Sequence, residues 1–181
     1  GNGMIGSIEI PCINVNMPIY HGRVTVCLVT GAGHIQDSSF PTGGKNTHAA
    51  ITGHRGLPSS RLFTRLDELK TGDLFYVNVL DETMAYKISR IETVLPEKVN
   101  YSIQDDKDLV SLITCTPYGL NTHRLVVTGY RISYKESVKR NKKNIISFRE
   151  FVFYSLPVVF SAVGIFVFRK KEMKGDRGCE K

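Results

Sequence analysis

Three residues of this 181-residue chain form a chemically complete set if the fold unites them. Cys115 ends the apolar run "LVSLITC" just before the turn "TPYG". Arg124 opens the next run, "RLVVTGYRI", and His54 closes "THAAITGH" ahead of a glycine-bearing turn. A thiolate is a nucleophile, and a cationic neighbour lowers a thiol's pKa from its ordinary ~8.5. An imidazolium protonates an amine leaving group. Arginine, always charged and with several fixed donors, suits a developing oxyanion or a carbonyl oxygen. The set describes acyl transfer. Each member also has a structural reading: a strand-end cysteine is commonly a small buried hydrophobe, a lone histidine satisfies local hydrogen bonds, and an arginine at a strand start faces solvent. His123, beside Arg124, points to the opposite face of an extended chain and stays outside the set.

For the three to meet, the elements that carry them must be neighbours. Alternation and β-branched residues dominate the first 134 positions. "IGSIEIPCINVNMPIY" predicts two extended pieces broken at Pro11, "THAAITGH" a strand, and "GDLFYVNVLDETMAYKISRIETV" a hairpin turning near Asp81 and Glu82. "LVSLITC" and "RLVVTGYRI" predict a further strand pair. Many short strands with polar turns argue for an antiparallel sheet closed into a barrel or a sandwich. Two helices are expected to cap it. One is short, over 24–29. The other lies in "SSRLFTRLDELKTG", where Leu62, Phe63, Leu66 and Leu69 have helical spacing, Ser59 or Ser60 serves as N-cap and Gly72 as stop.

The four cysteines, Cys12, Cys27, Cys115 and Cys179, form no CxxC and suggest no disulfide framework. With the five histidines they show none of the short spacings of structural zinc sites, so no metal is expected. Cys12 and Cys27 are expected in the core.

The net charge of +7 divides unevenly. Residues 1–134 carry twelve Lys+Arg and twelve Asp+Glu, whereas 135–181 carry twelve and five. A neutral globular part has no basic stripe for a phosphate backbone, which excludes nucleic acid as a partner. The basic tail flanks "FVFYSLPVVFSAVGIFVF", 151–168, eighteen residues without a charge. As a helix rising ~1.5 Å per residue it spans roughly 27 Å, close to the ~30 Å of a bilayer's hydrocarbon core. Arg169, Lys170 and Lys171 then act as a stop-transfer cluster, placing the C-terminus in the cytoplasm and the large domain outside. The expected organisation is a folded domain over 1–134, a basic juxtamembrane linker over 135–150, a transmembrane helix over 151–168 and a cytoplasmic tail over 169–181, with lipid as one partner. No signal-peptide pattern occurs at the start of the sequence.

"TGHRG" followed by "LITCTPYGLNTHRLVVTGYR" resembles the sortases, cysteine transpeptidases of Gram-positive cell surfaces. Their pattern places a histidine in TGH, a TLxTC cysteine about sixty residues on and an arginine eight to ten residues later. Here the cysteine follows His54 by 61 positions and Arg124 follows Cys115 by nine. The resemblance runs from about Ile5 to Tyr134 and includes "GAGHI" and "TVLPEKVN". It implies a closed antiparallel β-barrel of about eight strands, with Cys115 as nucleophile, His54 as general acid/base and Arg124 as oxyanion or substrate clamp. His34 and Tyr118, for which turn packing is the alternative, and Thr114 are expected along the substrate groove; the chemistry requires no cofactor, and the expected location is the cell membrane with the domain on the extracellular side.

Within the family, "TCTPYGLNTHR" and the C-terminal apolar segment look most like class C, the pilin polymerases. These join an LPXTG-like sorting signal to a lysine of another pilin. The Asp-Pro-aromatic lid motif of that class is not found in "GNGMIGSIEI". Two other readings compete: a housekeeping sortase that anchors surface proteins to peptidoglycan, and a membrane-tethered binding barrel in which Cys115 is structural.

The tail generates a direct test. The full chain should partition with membranes, and a chain ending near Tyr134 should be soluble and folded. Full-length protein that stays in the aqueous phase without detergent would remove the transmembrane assignment.

Overall fold

A computed structural model describes residues 3–21, 30–55 and 62–135. Eight strands account for most of them: β1 (Met4–Ile10), β2 (Val15–His21), β3 (Ala32–His34), β4 (Thr47–Thr52), β5 (Leu74–Val79), β6 (Glu82–Val94), β7 (Asp108–Thr116) and β8 (His123–Ile132). They close into a barrel in the order β1-β2-β3-β4-β7-β8-β6-β5. The segments expected as a helix over 24–29 and as a transmembrane helix over 151–168 lie outside the described residues.

The local pairings follow the sequence pattern. β1 and β2 are separated by a 3-10 turn at Pro11–Ile13, where proline removes a ladder donor. β5 and β6 form a hairpin whose turn residues Leu80 and Asp81 both have positive φ, the backbone a two-residue hairpin turn demands. β7 pairs antiparallel with β8 from Leu109↔Tyr130 to Thr116↔His123.

The expected all-antiparallel barrel needs correction. β2 pairs parallel with β3, and β4 parallel with β7. Alternation marks a strand but carries no information about the direction of a distant partner. A parallel pair also needs a long crossover, and here the β5–β6 hairpin lies within the connection from β4 to β7.

A second correction concerns the helix expected over 59–72. Its described part is a series of turns with one 3-10 turn at Leu66–Glu68. Leu66 N–H bonds to the Phe63 carbonyl and Glu68 N–H to that of Arg65, both three residues back. Phe63 N–H donates to the carbonyl of His54 at 3.1 Å, a tertiary bond. The four apolar residues still do their expected job, since Leu62, Phe63, Leu66 and Leu69 are all buried.

Side-chain alternation separates two apolar clusters. The barrel interior holds Ile8, Ile10, Ile19, Ile51, Phe75, Val77, Leu112 and Val127, with the Phe75 and Tyr86 rings stacked 5.4 Å apart. Gly129 makes room for that stack: a Cβ there would meet Phe75 Cε1 at 2.6 Å. On the outer face of β4, β7 and β8, Ala50, Ile113 and Val126 join Ile35 and are covered by Val94, Val99 and Tyr101. Cys12 is part-buried against the interior cluster, and burial pushes its thiol up to about 11.

The same outer face carries a buried polar chain. His48 Nδ1 lies 2.9 Å from the Ser102 carbonyl, His48 Nε2 2.8 Å from Ser111 Oγ, and Ser111 Oγ 2.8 Å from Thr128 Oγ1. A carbonyl only accepts, so Nδ1 carries the proton. Nε2 then accepts from Ser111, which accepts from Thr128. Three adjacent strands are locked in register by a neutral histidine, and burial holds its pKa below the ordinary value. The His34 pKa is lowered for the same reason.

A histidine with a depressed folded pKa binds a proton more readily when unfolded. Stability from His48 and His34 is therefore present above about pH 6.5 and lost as pH falls below it. The thermal midpoint should drop between pH 7.5 and 5.5, and His48→Gln/His34→Gln should flatten that dependence. Equal slopes in wild type and variant would contradict the assignment.

Candidate active site

The row of residues at one end of β4, β7 and β8 is built by register. β4 and β7 run in parallel from Thr47↔Asp108 to Thr52↔Ile113. The pairing continues past the end of β4: Gly53 N–H donates to the Ile113 carbonyl at 3.1 Å, and Thr114 Oγ1 donates to the Gly53 carbonyl at 2.8 Å. Two steps beyond Thr52↔Ile113, the register sets His54 beside Cys115. On the other side of β7, Cys115 lies directly opposite Arg124. Adjacent strands are ~4.8 Å apart, so the register, continued two residues past the end of β4, puts His54 in line with Cys115 and Arg124.

Alternation also sets the face. Leu112 of β7 points into the barrel and Ile113 outward, so Cys115 shares the outer face with Ile113 and Arg124 shares it with Val126. All three members of the row are part-buried, neither sealed in the core nor fully in water. Gly53 permits the close approach beneath them, because a Cβ there would meet Phe63 Cδ2 at 2.7 Å.

Arg124 is held by its own loop. Its Nη1 donates to the carbonyls of Asn121 and His123, each at 3.0 Å. Asn121 adopts positive φ, which turns its carbonyl back toward the strand start. His123 sits opposite Thr116 and bonds Thr122 Oγ1 through Nδ1 at 2.9 Å, on the other face from Cys115 as the alternation predicts.

The three expected groove residues occupy different environments. Tyr118 is 65% exposed on the loop after β7. Thr114 is buried, and its hydroxyl is committed to the Gly53 carbonyl. His34 is only 1% exposed; its Nε2 lies 3.0 Å from the Ser39 carbonyl and its Nδ1 3.2 Å from Nδ1 of His21. The acceptor-only carbonyl places the His34 proton on Nε2, so His21 donates to His34 Nδ1. The two rings stack at 5.4 Å with the Phe40 edge against His34. Register sets His34 opposite Ile51, three positions before His54.

Arg55 is a residue that sequence reasoning passed over. Its Nη1 donates to Thr116 Oγ1 at 3.1 Å, and its Nη2 pairs with Asp67 Oδ2 at 2.7 Å. Its place in "TGHRG", next to His54, was the available signal.

A cavity of about 950 Å3 opens at the opposite end of β7 and β8, lined by residues including Gly43, Asp108, Tyr130 and Arg131. Among the described residues its lining has no cysteine or histidine, and Arg131 is paired there with Glu82 at 2.8 Å. Despite its size, it lies at the far end of β7 from Cys115 and lacks the chemistry of the row.

A cysteine and an arginine opposite each other on β7 and β8, with a histidine just past the end of β4, are the residue types that cysteine acyl transfer uses, set on a closed eight-stranded barrel. The model of the Sortase domain matches residues 8–132. The chain belongs to the sortase family, whose members are cysteine transpeptidases. Among solved structures it is similar to sortase C of Streptococcus pneumoniae, 47% identical with a TM-score of 0.72, covering 74% of this chain and 71% of that one. It is also similar to sortase C2 of group B Streptococcus pilus island 1, 46% identical with a TM-score of 0.71, covering 74% and 76%. Sortase A of Bacillus anthracis is 28% identical over 132 residues, 73% of this chain and 61% of that protein. The chain thus spans less than two thirds of that curated relative.

Proposed function

We propose that the chain is a pilin-polymerising class C sortase, and that the row His54, Cys115, Arg124 is its active site. The row carries the reading: the β4–β7 register, continued two residues past Thr52, and the β7–β8 register line up residues separated by 61 and nine positions. The class is supported by 46–47% identity to structures named sortase C, one of whose titles speaks of pilin substrate specificity.

The chemistry follows from the row. A C-terminal LPXTG-like signal lies extended across the outer face. The Cys115 thiolate attacks the threonine carbonyl, and Arg124 stabilises the oxyanion. His54 protonates the departing glycine amine, leaving a thioester on Cys115. A lysine ε-amine of another pilin attacks the thioester, loses its proton to His54 and forms an isopeptide bond as the thiolate leaves. Water must compete poorly, because hydrolysis would end the polymer. No cofactor is needed. Tyr118 contacts the signal directly, whereas Thr114 and His34 shape the groove from behind. The segment over 151–168 anchors the enzyme in the cell membrane, with the barrel outside.

The test is turnover of a sorting-signal peptide by the full chain in detergent, with a lysine-bearing pilin peptide as acceptor. Cys115→Ala should abolish both cleavage and ligation, and Arg124→Ala should lower the rate by roughly 10²–10³-fold. Turnover retained in Cys115→Ala would overturn the assignment. Transfer to a peptidoglycan stem amine but not to lysine would replace pilus polymerisation with cell-wall anchoring.

A further inference from the structure

We propose that Arg55 is a positioning residue that holds His54 against the end of β7, and so sets the distance between the histidine and Cys115. This rests on the reading of His54 and Cys115 as catalytic partners.

The observation behind it is a change in what joins the two segments. Along β4 the backbone ladder itself fixes the spacing to β7, and Gly53 N–H to the Ile113 carbonyl extends that ladder past the strand's end. One step past His54, a side chain supplies the next link. Arg55 stands where the extended register meets Thr116, and its Nη1 donates to Thr116 Oγ1 at 3.1 Å. The His54–Cys115 pair therefore lies between a backbone-and-threonine link at Gly53 and Thr114 and a guanidinium link at Arg55 and Thr116.

The guanidinium is anchored on its far side. Nη2 pairs with Asp67 Oδ2 at 2.7 Å, in the Leu66–Glu68 turn. That turn is packed in the core through Leu66 and Phe63, and Phe63 N–H bonds the His54 carbonyl. The Arg55 side chain is 11% exposed, and its buried Nε meets no acceptor among the described residues. A charge this buried is kept in place by its paired groups, and both partners of Arg55 belong to elements that flank His54. The planar guanidinium holds its two partners with fixed donors on separate nitrogens; a compact ammonium on a flexible stem does not reproduce that fixed span. The arrangement gives Arg55 a purpose distinct from that of Arg124, whose Nη1 is bound to its own loop.

A small displacement of a reacting group costs up to about 10²-fold in rate, so the role is legible in kinetics. Full-length wild type, Arg55→Gln, Arg55→Lys, Thr116→Val and the milder Asp67→Asn are compared in cleavage of a sorting-signal peptide, with thermal midpoints measured alongside. We expect kcat to fall roughly 10–10²-fold in both Arg55 variants, with KM little changed, no rescue by lysine, and a smaller fall in Asp67→Asn. Arg55→Gln/Thr116→Val should be no worse than Arg55→Gln alone, since both remove the same link. Wild-type kcat in the Arg55 variants, or losses that vanish well below each variant's midpoint, would overturn the inference and leave the active site intact. Should Arg55→Gln fail to fold, unchanged kcat in Asp67→Asn and Thr116→Val overturns it. A wild type without turnover would remove the functional reading and this inference with it.

Discussion

The site depends on the parallel pairing of β4 with β7. Those strands begin 61 residues apart, and no local preference brings them together. Closure of the barrel does, because β4 and β7 are consecutive around the wall while the β5–β6 hairpin lies between them in sequence. A slip of one residue in this pair would turn Cys115 away from the face that His54 shares, since side chains alternate with a period of two. The catalytic assignment is in that sense a statement about register.

Register here is secured on both faces of the wall. Inside, Ile51, Leu112 and Val127 pack from β4, β7 and β8 into one cluster, so a slip would place polar groups in the core. Outside, His48, Ser111 and Thr128 form a hydrogen-bonded chain across the same three strands, with every donor and acceptor direction fixed by the Ser102 carbonyl. Apolar burial supplies most of the stability. The polar chain adds specificity, because a half-satisfied network costs more than none. With the strands so fixed, the row at their end needs only its loops settled: the Asn121 turn for Arg124, and the Leu66–Glu68 turn with Arg55 for His54.

Much of this was legible in the sequence where the signal is local. The β5–β6 hairpin and the β7–β8 pair announce themselves through alternation and turn residues, and Cys115, His54 and Arg124 stand out by type at strand ends. Two features were hidden. The parallel directions of β2–β3 and β4–β7 arise from closure over long separations. The segment Leu62–Leu69 has helical spacing, yet forms turns closed by bonds three residues back, with Phe63 N–H donating to the distant His54 carbonyl. His34 has the sequence context of a groove residue but lies buried against His21, a contact set by the β2–β3 pairing. Arg55 was visible beside His54, but its significance depends on Asp67 and Thr116, twelve and 61 positions away.

The central claim, that His54 and Cys115 are register neighbours, is open to a measurement independent of activity. Register neighbours on adjacent strands have Cα atoms ~4.8–5.5 Å apart, within the ~4.4–6.8 Å span of disulfides. Full-length His54→Cys and Arg124→Cys are oxidised mildly, and the bridges are mapped by peptide mass spectrometry. The account predicts a 54–115 disulfide in the first and a 115–124 disulfide in the second. A 115–124 bridge without any 54–115 bridge would show that β4 does not deliver His54 to the cysteine, and would contradict the account.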